Sequence, residues 1–455
     1  MSIAPPHIER QAVPDDIAEV ERLTWCRLRW PIGDGSATRV RSESFESDSI
    51  AIPLVNVAAW IVENWWSILY ELARVSDAGT QEDSGGLDSH APGWRSRHSL
   101  RVADSSLLLP DLRIFSSGRN VTWQLRADHG QLFRAVPDVR FVDDTLTVGS
   151  REESVASLGE LVSWTLSRLT NCDGADVSNI REAWDFISRT PSRSSQAEFC
   201  RAAGRLGLDP HDVESWPQGI CEWLEEAPAG TLDTAFSADI LSFSNDVTDL
   251  PGIDRALRAL VRDSGLRERP TERTRGSDAS IVRPDSTTAF ALGYERAERL
   301  RWDAHVDSTE RLPELERVLH AAYGQRLVHH QRLVVPAPVS AAAGWSSDGV
   351  DVITRPDPTG QRSRSRRFAL ARGLHHALWL CDEGARLATD AADDDQRASR
   401  AFAAELLAPR REVFRLVAER RKIMPEIDAV AEVASLYDVD PVLARNQFDN
   451  ARAGR

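Results

Sequence analysis

Residues 366–380 read RRFALARGLHHALWL, an amphipathic helical pattern carrying two adjacent histidines. Two histidines four residues apart on a helix share a face and can reach a single zinc ion, and a glutamate beside the first can activate the metal-bound water. Here Arg372 stands at the first-ligand position, Gly373 at the general-base position and His376 at the second-ligand position. A guanidinium has no lone pair to offer and repels a cation. Glycine cannot accept a proton, and it weakens a helix by ~1 kcal/mol relative to alanine. His375 does not replace the missing ligand, because neighbouring helix residues point ~100° apart. His376 is therefore the residual metal candidate. His329 and His330 are remote candidates that only a tertiary approach could bring in. No catalytic residue is assigned: Arg372 and Gly373 are degenerate positions.

A buried arginine needs a partner, and Glu405 or the acidic run Asp393-Asp394-Asp395 could supply one. The competing reading points Arg372 to solvent. The basic run RSRSRR (362–367) opposes the helix dipole at a helix N-terminus, so pairing with the acids of 390–395 is expected there. Five cysteines, scattered and never in C-x-x-C spacing, fit reduced thiols in a cytoplasmic protein.

The elements that must position these groups belong to a chain of 455 residues, too long for one compact core. Its apolar content of 42% and charged content of 27% are those of a globular protein. A net charge of −15 argues against non-specific nucleic-acid binding. The opening MSIAPPHIERQAVPDD has neither a basic nor an apolar leader region, so no signal peptide is expected. The most apolar stretch, from Ile50, is interrupted by Pro53, Asn56, Glu63 and Asn64, and no membrane span is expected.

Along the first 150 residues, LTWCRLRWPI reads as a strand and 55–73 as a helix. LRIFSSGRNVTWQLRA reads as a hairpin, and VRFVDDTLTV as a second, tighter one. The tryptophans in this region are expected in a core rather than in a ligand cage. Residues 151–261 turn helical. Within them 197–224 has the outline of a helix-turn-helix, but His211, Asp212, Glu214 and Glu222 face the wrong charge for DNA, so a structural hairpin is expected. Residues 262–287 are rich in Arg, Ser and Pro and read as a linker. After them come a helix from Phe290, a second stopping at Gly324, strands around His329 and over GVDVITRP, the histidine helix, and helices to the end.

Several segments resemble a known family. RRFALARGLHHAL resembles the metal-helix segment of ImmA/IrrE-type metallopeptidases, whose Arg-Phe-x-x-Ala lead-in precedes His-Glu-x-x-His. RASRAFAAELLAP resembles that family's Phe-Ala-Ala-x-Leu-Leu-x-Pro signature, and LYDVDPVLARNQFDN its helical tail. The likeness covers residues 288–455. It implies a zincin-like domain, in a family whose active members cleave helix-turn-helix repressors. The resemblance implies a third ligand near Gln396 or Ala398, and neither is acidic; Asp393, Asp394 and Asp395 are close, which leaves a displaced carboxylate, Asp395, as a remote metal candidate. The fold expected is thus α+β and multidomain: a mixed N-terminal domain with β-hairpins (1–150), a helical middle (151–261), a linker (262–287) and a zincin-like C-terminal domain (288–455). The function expected is that of a degenerate homologue binding a protein partner, such as a transcriptional regulator, through a cleft built from Arg372, His375, His376 and Glu405. No cofactor is expected; zinc would be required by the alternative, an active endopeptidase with an altered ligand set. A DNA-binding regulator is the other alternative. Whether the chain is an enzyme is left open at this level.

Overall fold

The computed structural model describes residues 3–11, 13, 17–73, 93–127, 139–243, 249–267, 288–330, 335–337, 339–355, 363–381 and 384–454. Most of the expected linker lies outside them. The protein is a mixed α/β chain with several small sheets. It divides into two compact units, Met1–Asp233 and Thr234–Arg455, each with its own apolar core. Among the described residues no helix is long and apolar enough to cross a membrane.

In the first unit, β1 (His7–Arg10), β2 (Trp25–Arg29) and β3 (Ile50–Pro53) form an antiparallel sheet. The helix expected over 55–73 is two: α1 (Val55–Glu63) and α2 (Trp65–Tyr70). Asn64 separates them; its side-chain amide donates to the Trp60 carbonyl at 2.9 Å, a local alternative to the helical ladder. The hairpin of β4 (Asp111–Ser116) and β5 (Asn120–Arg126) forms as expected, in the register Ser116 to Val121. The second expected hairpin does not. Arg140–Phe141 pairs with Val40–Arg41, whereas β6 (Thr145–Ser150) pairs with β5. The intervening Asp143 serves as an acceptor for the Ser36 backbone amide at 2.7 Å rather than as a turn residue.

Ser150 and Glu153 close a capping box at the start of α3 (Arg151–Arg168). This helix satisfies the buried tryptophans: Trp30 donates to Ser157 Oγ at 3.1 Å and Trp123 to Ser154 Oγ at 3.0 Å. The two rings meet edge to face, 5.5 Å apart, as core residues. α4 (Ala175–Arg189) and α5 (Ser195–Arg205) follow. The expected second helix of the 197–224 hairpin is reduced to Ile220–Glu225, and His211, Asp212 and Glu214 lie outside α-helix.

The second unit begins with α6 (Ala235–Phe243) and α7 (Leu250–Ser264), helices that the sequence groups with a middle region. It continues with α8 (Ala289–Asp303), α9 (Leu315–Tyr323), β7 (Leu327–His330), β8 (Ala341–Ser346), β9 (Gly349–Thr354), α10 (Ser363–Trp379) and β10 (Arg386–Ala388). Four helical segments close it: α11 (Asp394–Leu407), α12 (Arg410–Arg420), α13 (Glu426–Tyr437) and α14 (Pro441–Arg452). Gly324 ends α9 at φ +63°, the left-handed cap that glycine accepts without strain. The sheet order is β7-β9-β8-β10; β7 runs parallel to β9 and the other pairs are antiparallel. Strands β8 and β10 have no reading in the sequence.

α10 lies between this sheet and α11. From Ala371 to Leu378 every residue is buried, so this is an interior helix rather than an amphipathic one with a wet face. Two glycines permit the approach. A Cβ at Gly373 would stand 2.4 Å from Val352 Cγ1 of β9, and one at Gly293 would stand 2.3 Å from the Ala398 carbonyl oxygen. The small residues Ala398 and Ala401 on α11 therefore let α8 close against it.

Candidate functional site

The interior position of α10 brings Arg372, His375 and His376 into the core, at 3%, 0% and 0% exposure. The Arg372 guanidinium does not turn to solvent. It donates to four oxygens: Ser399 Oγ at 3.2 Å, Ser340 Oγ at 3.4 Å, Gln396 Oε1 at 2.8 Å and the Thr389 carbonyl. All four are uncharged. The nearest carboxylate is Asp390, at 3.7 Å and with a side chain 83% exposed, so it contributes little. The expected partners are corrected accordingly. Glu405 instead accepts from the Arg410 backbone amide at 3.1 Å and from Gln447 at 3.0 Å, tying α11 to α12 and α14. Its burial raises its pKa above the usual carboxylate range. Burial in a nearly neutral cage, with Arg400 nearby, brings the Arg372 pKa down to about 9; Asp390, Asp393 and Asp239 oppose the fall.

The acidic run serves another arginine. Arg386 of β10 makes a bidentate pair with Asp239 of α6, Nε to Oδ2 at 2.8 Å and Nη2 to Oδ1 at 3.0 Å. Asp395 adds a contact at 3.3 Å. Asp239 also accepts from the Leu387 amide at 2.9 Å and from Gln396 Nε2 at 3.3 Å. Burial works against the Arg386 charge, but the Asp239 carboxylate outweighs it and holds the guanidinium well above its ordinary value. Asp393 caps α11, accepting from the Gln396 amide at 2.7 Å. Burial, then the charges of Asp395 and Asp239, push its pKa up to about 7. Gln396 is the hinge of this network, since it bonds Arg372, Asp239, the Thr389 amide and the Leu387 carbonyl.

Both histidines are neutral at pH 7, because burial and then neighbouring arginines hold them well below their ordinary pKa: Arg296 first for His375, Arg386 first for His376. Arg296 stands 3.0 Å from His375 Nε2, which accepts from it. The His375 ring packs among Trp379 and Phe402. Neither nitrogen of the His376 ring has a hydrogen-bond partner among the described residues; the Gln396 amide lies beside it outside bonding geometry.

Among the described residues the sequence's metal candidates do not gather into one site, although the Asp395 charge reaches His376. His329 sits in β7, 3.0 Å from Thr354 Oγ1 and 2.9 Å from Arg366, which precedes Arg372 by six residues on α10. His330 also lies in β7, and its side chain is outside the described residues. Asp395 is engaged by Arg386. Among the described residues no three His, Cys, Asp or Glu side chains could share an ion. A zinc site needs three or four such donors, and the groups gathered around His376 include two guanidinium cations. These residues do not fit zinc. Nor do Arg372, His375, His376 and Glu405 line an open cleft, since none exceeds 3% exposure. The RSRSRR run pairs elsewhere too: Arg364 reaches Asp438 at 3.1 Å, and Arg367 donates to the Leu312 and Tyr437 carbonyls.

Sequence patterns did not single out Asp239, Arg386, Thr389 or Ser399, and pointed to Gln396 only as a lost ligand position. One signal was present: Asp239 is the only charge in the apolar run AFSADILSF, a placement that calls for a buried partner. Compared with family models, with curated proteins and with solved structures, the chain finds no match in any of the three.

Proposed function

We propose that the second unit is a zincin-like scaffold of the ImmA/IrrE type whose metal position has been taken over by a fixed guanidinium. It acts by binding a protein partner, such as a helix-turn-helix regulator, and not by hydrolysing peptides. The observation that carries this reading is the Arg372 side chain, held by four neutral oxygens at the helix position where a first metal ligand would stand. The neutral, unpartnered imidazole of His376, one turn along, supports it as the remnant of a ligand pair. Because the inherited position is interior, the partner is met on the unit's outer surface. Exposed Ile423 and Ile427 between and within the terminal helices offer apolar contacts there.

The test is elemental analysis of the purified chain, loaded with zinc and dialysed free of excess metal. The expected result is no stoichiometric zinc, with no difference between the parent and His376→Ala. Near-stoichiometric zinc that disappears in His376→Ala would overturn the proposal and restore a peptidase.

A further inference from the structure

On the second unit, α8, α10, α11 and α14 enclose a groove of about 450 Å³, joined to the Arg372 cage through Arg400, which shares the Thr389 carbonyl with Arg372. That volume falls in the range of small-ligand sites, which are apolar with a few placed polar groups. Its walls carry Tyr294, Phe368, Leu407 and Leu443. Phe290 and Val442, 49% and 66% exposed, stand at its rim. Large apolar side chains left at the mouth of an apolar groove are unusual unless something covers them.

The charged groups decide what that something is. The lining holds Arg364 and Arg400 against one carboxylate, Asp440. Asp440 is occupied as the N-cap of α14, accepting from the Val442 amide at 2.9 Å. Arg400 has no carboxylate within ion-pair distance among the described residues; it donates to the Ala391 and Thr389 carbonyls, at 2.9 and 3.4 Å. Burial lowers its pKa, and the charges of Asp393 and Asp390 oppose that fall from beyond ion-pair distance. Arg364 shares Asp438 with Arg311 and Arg367, three guanidinium groups around one carboxylate. In a chain of net charge −15, this groove has a cationic lining. Along α14, Asn446 and Asn450 add amides one turn apart, and Asn450 donates to the Tyr294 hydroxyl at 3.2 Å.

We infer that this groove binds a small amphiphilic carboxylate, its apolar body against Phe290, Phe368 and Leu443 and its anionic head toward Arg400 and Arg364. The pairing is one of complementarity: an anion meets two guanidinium groups while its chain removes exposed aromatic and aliphatic surface from water.

The experiment is isothermal titration calorimetry of the full chain with sodium decanoate below its micellar concentration, alongside decanol and decyltrimethylammonium. Saturable one-to-one binding of decanoate is expected, with decanol weaker by about tenfold, the usual consequence of losing a charged contact. Val442→Glu, at an exposed rim position, puts a carboxylate into the apolar mouth of a groove that takes an anion, and is expected to weaken decanoate by about tenfold or more while leaving the circular dichroism spectrum unchanged. Arg400→Gln should act in the same direction and leave decanol unaffected. No saturable binding of decanoate, decanol binding as tightly, a preference for the ammonium probe, or indifference to Val442→Glu would each overturn the inference.

Discussion

Replacing Gly373 by alanine separates two accounts of this residue: a lost general base at an otherwise tolerant position, or a contact that the packing requires. An added Cβ would stand 2.4 Å from Val352 Cγ1 and 3.5 Å from the Ala341 Cβ, and ordinary contact begins near 3.4 Å. Val352 is fully buried on β9 and stiff at its β-branch, so it cannot swing aside. Overpacking of this kind costs about 1–3 kcal/mol, and alanine's better helix propensity returns about 1 kcal/mol. Gly373→Ala is therefore expected to destabilise the second unit by up to about 2 kcal/mol. Val352→Ala alone removes two buried methyl groups and should cost roughly 2–3 kcal/mol. In the double variant the new methyl group fills the vacated volume, and the loss should fall short of the sum by about 1–2 kcal/mol. Hydrogen-exchange mass spectrometry on peptides from α10 and β9 reads this unit without interference from the other. A stabilising Gly373→Ala, or strictly additive losses in the double variant, would refute the packing argument.

Asp393→Asn should change the pH dependence of that same protection. A carboxyl held near 7 binds its proton more tightly folded than unfolded, so the native state loses stability as pH rises from about 4 to about 7. The variant's advantage over the parent should grow across that window, to no more than about 4 kcal/mol, and a pH-independent difference would contradict the origin assigned to the shift. Asp239→Ala leaves the buried Arg386 guanidinium with Asp395 as its carboxylate partner and should cost up to about 3–5 kcal/mol, read as lost protection in β10. Adding Arg386→Met should recover part of that loss. Gly293→Ala drives a methyl group into the Ala398 carbonyl, where no side chain can yield, and should cost at least about 2 kcal/mol by the same measurement.

What could be read from the sequence was mostly local. The β4–β5 hairpin, the glycine stop of α9 and the helices after Asp393 follow from periodicity and capping chemistry close along the chain. The interior character of α10 was not legible, because its polar residues are satisfied by groups distant in sequence. Ser340 lies before the helix, and Thr389, Gln396 and Ser399 after it, so a pattern counted along one helix mistakes them for a wet face. The exchanged partners of β6 and of Arg140–Phe141 were hidden for the same reason: alternation marks a strand without naming its neighbour. At the candidate site, the substitution of Arg372 for a ligand was visible as a residue type. Its partners were not, since charge alone pointed to Glu405 and the acidic run, whereas the interior supplied amide, hydroxyl and carbonyl oxygens.

The Asp239–Arg386 clasp spans 147 positions of the chain. Closing a loop of that length carries an entropic cost of about 4 kcal/mol before any contact is gained. During synthesis α6 leaves the ribosome long before β10 exists, so its carboxylate must wait, hydrated, for its partner. Contacts of such separation form late, and the docking of α6 is accordingly the step that closes the second unit. A chain halted before Arg386 would hold the helix but not its anchor, which makes the exposed apolar face of α6 the natural target of chaperones during biosynthesis.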